Sequence, residues 1–534
     1  MTVKIAVKEL YTNLISARFT IGFLLCLFLI PFTMLVSIND YGSLMRAYEM
    51  EMKEAGESMN VRVYSALRPV VVKPPEPLSI FSRGISYQVG NEVRIQFGEL
   101  PMLAEGRSGV RENPLMNSFF SLDFASVTAI IMSLLALLFT YDACTGERER
   151  GTLKLLVASS VNRSTILIGK FLGVILTLLP VILFCYIMCA IIILVHPAVG
   201  FSAGEWSRIA ILFSMSVTFF SLFAALGLLI STRSRSSVTS IVVCLFVWVT
   251  AIFIIPNLSV YAARSFYKTN SPENLRFALD ELDSEFREKR NEITETVKKQ
   301  VSPDWWMHWN MNGGYDGYLE LAGSSKSLME YHRRTNEETE PLRIDYADKK
   351  WALQDAYLHQ LDRQRRLSEL LALLSPSEIF RQTVSTLCRT DVGTQYEFLA
   401  KVREYREELI QHFIDKKIFS SWTYFTRQDP DSFMSADEIV RTRTGGQFAT
   451  VQEYNEWARS NNGSFTPLWK VDIPGTGNSE FEPLDISSVP RFHWRSVSLL
   501  GNIRQSLGRF AALVFMGIIL FYLSYISFIR YDVR

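Results

Sequence analysis

The stretch Tyr141-Asp142-Ala143-Cys144-Thr145-Gly146-Glu147-Arg148-Glu149-Arg150-Gly151-Thr152-Leu153-Lys154-Leu155-Leu156-Val157-Ala158-Ser159-Ser160-Val161-Asn162-Arg163 divides two long apolar runs. Charges of both signs crowd its first half, and Gly151 then permits a sharp change of direction. The pattern predicts a short amphipathic helix over about 152–158, a polar turn, and Arg163 ahead of the next apolar run. A rigid helix across the base of a membrane is suited to pass force into the two runs it joins.

Outward from this connector, the chain of 534 residues concentrates its 48% hydrophobic content in six runs. They are 19–38, 122–141, 166–195, 208–230, 238–260 and 508–528. Each approaches or exceeds the ~20 apolar residues needed to cross a bilayer. This excludes a soluble enzyme. A net charge of +1 offers no basic excess for nucleic acid. The expected fold class is a mainly α, polytopic membrane protein with six transmembrane helices and a large, mostly helical extracytoplasmic domain carrying small β elements. The first run is too long for a signal-peptide core and is expected to remain as an anchor.

The short segments 1–18, 142–170, 231–237 and 529–534 each carry a positive excess, which orients them, and both termini, to the cytoplasm. Residues 39–121 and 261–507 then lie outside. Of the six cysteines, only Cys388 falls in the outer segments, so no intrachain disulfide is expected there. That economy fits a bacterial plasma (inner) membrane.

In 39–121, short alternating runs such as 85–97 predict small β elements. In 261–420, Leu275, Leu279, Leu282, Phe286, Ile293 and Val297 predict one long amphipathic helix. A second is expected from Ile344 to Leu374, the pair forming an antiparallel hairpin. Ser375-Pro376-Ser377-Glu378 predicts a helix start with a capping box. The helix after it is expected either on the outer membrane surface or on the hairpin. Residues 421–507 look irregular. Trp305, Trp306, Trp309, Tyr315 and Tyr318 are candidates for an outer aromatic surface, against ordinary core packing. Ser214, Ser216, Thr218 and Ser221 are candidates for a substrate path, against bonding to their own helix.

The six histidines are scattered, and no HExxH, CxxC or GxSxG motif occurs. Gly169-Lys170 is followed by Phe171, so no Walker A loop exists. Catalytic, cofactor and metal-ligating residues are therefore not expected in this chain.

Glu147, Gly151, Thr152, Leu153, Leu155, Leu156, Arg163, Gly169 and Lys170 together resemble the Glu-x-x-x-Gly-Thr-Leu … Leu-Leu … Arg … Gly-Lys pattern of exporter-type (type-2) ABC transporter permeases. A proline common before the arginine is replaced by Ser160-Val161-Asn162. The resemblance implies a coupling loop over 142–165, with Arg148 and Glu149 in its charged part, seated on a separate ATPase. It also implies an amphipathic cytoplasmic helix within 1–18, two ATPase copies that carry ATP and Mg, and a second permease chain, a homodimer being favoured. Membrane lipids are the other partner. The 261–507 insertion resembles a subgroup with enlarged external domains. The implied function is an ATP-driven exporter; the alternative is a mechanotransmission complex that moves its outer domain without carrying a substrate.

Overall fold

A computed structural model describes residues 1–85, 91–95, 123–153, 161–197, 199–302, 326–460, 483–494 and 499–530. Helix α1 (Thr2–Leu14) ends before Ser16, whose hydroxyl accepts from the Phe19 amide and caps α2 (Ala17–Ser58). The sequence placed the end of the first span near Ile38. Instead α2 continues for 42 residues, about 63 Å at 1.5 Å per residue. The reason is local: residues 43–55 are rich in Met, Glu, Ala and Lys, all good helix formers, and contain no breaker. Strand β1 (Val70–Val72) then pairs antiparallel with β2 (Glu92–Arg94), Val71 opposite Val93, which realises the expected small β elements.

Asp123 caps α3 (Phe124–Leu138) by accepting from the Ser126 amide at 2.8 Å. After α4 (Thr145–Glu149) come α5 (Arg163–Val195), α6 (Ala203–Arg233), α7 (Ser237–Val249) and α8 (Ile255–Phe266). The final apolar helix is α15 (Leu499–Ile529). Among the described residues, five helical stretches are long and apolar enough to span a bilayer: α2, α5, α6, the continuous α7–α8 segment and α15. The expected second span is shorter, with 15 helical residues in α3. Its helix stops where the chain turns beside α6: a Cβ on Gly227 would lie 1.9 Å from Thr140 Oγ1. Only glycine admits that approach.

Between α7 and α8, Thr250–Ile254 forms a π-helical turn just before Pro256. Proline lacks the amide and crowds the carbonyl four residues back, and a widened turn relieves this.

The domain between α8 and α15 begins with α9 (Pro272–Val301) and α10 (Lys326–Ala372), packed as a hairpin through contacts such as Phe286 on Tyr346 at 5.6 Å. The second helix starts well before the expected Ile344 and carries Pro341 inside it. Its early residues Leu328, Met329 and Tyr331 are buried in the domain core, so tertiary packing overrides the proline. After α11 (Pro376–Cys388) comes α12 (Val392–Asp415), whose Phe398, Val402 and Phe413 join that core. The region expected to be irregular contains α13 (Ala436–Arg443) and α14 (Val451–Ser460), which share a small cluster of Ile439, Val440, Tyr454 and Trp457.

Helix α11 corrects both positions offered for it. It neither lies on a membrane surface nor merely on the hairpin: Ile379, Phe380, Val384 and Leu387 belong to the same buried core as the spans. Phe380 stacks on Phe219 of α6 at 4.6 Å. Its start is fixed by Ser375, which accepts from the Glu378 amide at 3.2 Å. The Ser375 and Ser377 hydroxyls both donate to the Ala251 carbonyl in the π turn. The full capping box does not form, because Glu378 turns to Arg381 and Gln382.

All six cysteines are buried free thiols. A maleimide reagent should therefore leave the folded protein unlabelled, Cys388 included. Replacing Ser375 and Ser377 together by Val removes a cap and leaves a buried carbonyl without these donors, at about 2 kcal/mol. The expected outcome is a lower thermal midpoint and faster maleimide labelling; unchanged labelling would show that these bonds do not hold α11 in place.

Candidate functional site

The charged half of the connector lies at one end of the bundle, where six apolar helices converge. Successive side chains on a helix point ~100° apart, so neighbouring charges reach different partners. Asp142 Oδ2 accepts from Arg18, at the start of α2, at 2.9 Å. Glu147 turns inward, 2.9 Å from Lys170 of α5. Lys170 is only 2% exposed and lies equally close to Glu9 of α1. Lys8 approaches Glu147 at 3.5 Å. A buried ammonium thus binds two carboxylates that come from different parts of the chain.

The remaining charges hold helix ends. Arg148 donates to the Ser234 carbonyl at 2.5 Å and the Thr232 carbonyl at 3.5 Å, where α6 terminates. Glu149 accepts from the Ser237 amide at 2.7 Å and the Ser237 hydroxyl at 2.8 Å, at the first residue of α7. That amide has no partner within its own helix, and the helix start favours a negative charge. The two Ser237 bonds hold the Glu149 carboxyl below the usual range. Arg163 donates to the Phe528 and Ile529 carbonyls at the end of α15. In return, Ser231 of α6 accepts from the Cys144 and Thr145 amides at 3.0 and 3.3 Å.

Gly169 and Gly173 explain how α1 comes so close. A Cβ on Gly169 would lie 2.7 Å from Ile5, and one on Gly173 2.5 Å from Glu9. Leu153 is buried with Cys144, Ile166, Leu167 and Phe528. Gly151 adopts φ +73°, the left-handed region, and a Cβ there would meet open space. It and Thr152 are exposed, while the Thr152 hydroxyl returns to the Glu147 carbonyl. Leu155 and Leu156 lie outside the described residues.

The other candidates fare differently. Ser214, Ser216, Thr218 and Ser221 each donate to the carbonyl four residues back. Ser214, Thr218 and Ser221 share one face of α6, whereas Ser216 is buried on the other side beside Tyr186 at 2.9 Å. Ser216 therefore stands apart from the surface that the other three share. Trp305, Trp306, Trp309, Tyr315 and Tyr318 lie outside the described residues. Among the described residues, no group of three His, Cys, Asp or Glu side chains is placed to hold a metal.

Sequence reasoning placed Asp142 within the 142–165 loop without giving it a role, and missed Glu9, Ser231 and Ser237 as parts of this site. The Ser234-Arg235-Ser236-Ser237 run between two apolar segments was an available signal, since serines favour helix starts. Glu9 carried none, because its partner Lys170 is 161 residues away.

Lys170→Met should leave the buried Glu147 and the half-buried Glu9 without their shared cation, at a cost of about 3 kcal/mol. The expected result is a markedly lower thermal midpoint in detergent, partly restored when Glu147→Gln is added. A midpoint unchanged by Lys170→Met would remove the triad from any structural role.

Comparison with known proteins bears on this geometry. A family model described as "ABC-2 family transporter protein" matches residues 3–533. A short stretch is also similar to two proteins named "Probable ABC transporter permease protein NosY". The one from Stutzerimonas stutzeri is 51% identical over 49 residues, 9% of this chain. The one from Pseudomonas aeruginosa is 50% identical over 48 residues, again 9% of this chain. The aligned part of this chain spans 18% of each relative's length. The family match runs almost from end to end, across the connector, the apolar helices and the intervening domain, and the chain belongs to the ABC-2 family of transporter proteins.

Proposed function

We propose that this chain is the permease subunit of an ATP-driven exporter, moved by a separate ATPase that seats on the 146–163 connector. The observation that carries this reading is the grip of the connector on the bundle. Asp142, Glu147, Arg148, Glu149 and Arg163 reach the near ends of α2, α5, α6, α7 and α15. A push on the exposed Gly151–Thr152 corner is therefore delivered to every span rather than to two. The NosY permease name borne by the two relatives agrees with such a subunit.

The connector end is the cytoplasmic end, because the short segments there carry the positive excess, and the membrane is a bacterial inner membrane. The large domain then stands outside, as in the permease subgroup with an enlarged insertion between the fifth and sixth spans. Two copies of the chain close the pathway between them, and two ATPase copies supply ATP and Mg. One observation favours the mechanotransmission alternative: each α6 hydroxyl offered for a substrate path bonds to its own backbone, and Ser216 stands apart from the other three.

Purified alone, the chain should hydrolyse no ATP. Co-purified with its ATPase and reconstituted, it should yield a complex whose mass contains two copies of each. Gly151→Pro forbids the left-handed turn and should reduce stimulated hydrolysis at least tenfold. Undiminished hydrolysis in that variant, or a complex with one permease copy, would overturn the proposal. Hydrolysis that moves the outer domain while vesicle contents and lipids stay in place would select mechanotransmission.

A further inference from the structure

The connector carries both signs of charge in sequence, but its acids are spent within the chain. Residues 142–163 contain three acidic side chains. Asp142 is bound to Arg18, Glu147 to Lys170, and Glu149 to the amide and hydroxyl of Ser237. Arg150, next to the Gly151 corner, is exposed and enters no ion pair among the described residues.

The turn between α6 and α7 adds two more such arginines. It reads Arg233-Ser234-Arg235-Ser236, and Ser234 and Ser236 have extended backbone, with ψ 147° and 156°. Side chains alternate along an extended chain. The serine positions hold the turn together. The Ser234 carbonyl accepts from Arg148, and the Ser236 hydroxyl accepts from the Thr239 amide at 3.2 Å, which caps α7. Arg233 and Arg235 occupy the alternate positions. Both are exposed, again with no ion pair among the described residues.

Arg150 and this turn belong to one surface. Nε of Arg150 donates to the Gly146 carbonyl at 2.9 Å, which folds the side chain back along α4. A Cβ on Gly146 would lie 3.4 Å from Arg150 Nη2 and 4.0 Å from Ser237 Oγ, so the guanidinium and the first residue of α7 flank the same point. A guanidinium is a planar fork that matches a carboxylate through two parallel bonds. Anionic lipid headgroups would suit the same forks. Arg150, however, is followed by Gly151 and Thr152, which are exposed and bring no apolar side chain to seat in lipid. That favours a protein surface opposite.

Resting on the coupling role given above, we propose that the α6–α7 turn is a second seat for the ATPase, and that the partner meets Arg150, Arg233 and Arg235 with a cluster of aspartate and glutamate side chains. The ATPase then grips two adjacent loops, the Gly151 corner and the turn tied to it through Arg148 and Glu149. The charge contact sets the register in which the corner is pushed.

The test uses the full chain in complex with the ATPase that co-purifies with it. Arg150→Lys, Arg233→Lys and Arg235→Lys, made singly, keep the charge and add an amine, which a carbodiimide joins to any carboxylate in direct contact. At least one variant should yield a permease–ATPase adduct whose link maps by mass spectrometry to an aspartate or glutamate of the partner. Raising NaCl from about 0.1 to about 0.5 M should suppress it, because exposed pairs are screened. Arg150→Glu, Arg233→Glu and Arg235→Glu together should weaken association about tenfold, with the thermal midpoint of the chain alone unchanged. Adduct-free complexes from all three lysine variants, or a triple variant that holds the ATPase as tightly as the parent, would overturn the second seat. A triple variant that keeps the ATPase but loses a preference for phosphatidylglycerol over phosphatidylcholine nanodiscs would assign the arginines to headgroups instead. A complex that ignores the arginines yet still loses hydrolysis with Gly151→Pro leaves the coupling role standing; a parent chain that recruits no ATPase removes both.

Discussion

Lys170 is the constraint around which the base of the bundle is built. A buried ammonium is tolerated only when opposite charges and hydrogen bonds replace its water, and here Glu9 and Glu147 do so. Satisfying Lys170 requires α1 to lie along α5, which in turn requires glycine at 169 and 173. It also requires α4 to turn Glu147 inward, and that orientation sends Arg148 and Glu149 to the facing ends of α6 and α7. One desolvated charge thus fixes the position of the N-terminal helix, the connector and two inter-span junctions.

The two ends of the bundle use related devices. At the connector end, side chains of one segment satisfy the terminal amides and carbonyls of others, so a helix end is completed by a different helix. At the domain end, a carbonyl within the π turn of the fifth span is satisfied by the hydroxyls of Ser375 and Ser377. Both arrangements replace intrahelical bonds with interhelical ones. They lock neighbouring elements together at the two ends of the bundle.

Much of this was legible in the sequence because it is local. Apolar runs, the helix start at Ser375, the amphipathic pattern of residues 275–297 and the glycine of the connector announce themselves within a few residues. What failed to show is what depends on distant partners. The 13-residue α11 has one apolar face, and that face reads the same whether it meets lipid, the hairpin or the interior of the bundle. Partners more than a hundred residues earlier, the Ala251 carbonyl of the π turn and Phe219 of α6, select the interior. Glu9 is an unremarkable polar residue, and the partner of the motif residue Lys170 stays unidentified, until two helices cross. The hydroxyls of α6 divide in a way composition does not show: Ser214, Thr218 and Ser221 share a face, while helical geometry turns Ser216 to the other side.

The length of α2 carries a mechanical consequence. Its first turns are held by the Arg18–Asp142 pair, and its last turns pass beyond the core toward the segment that leads to β1. A rod of about 63 Å that rotates about its lower end sweeps its tip through about 1 Å for each degree. Tilts of a few degrees at the connector, too small to break the packing of the bundle, become displacements of several ångströms where α2 meets the domain. Such amplification requires α2 to tilt as one body through Pro31 and depends on the helix running on past the bundle.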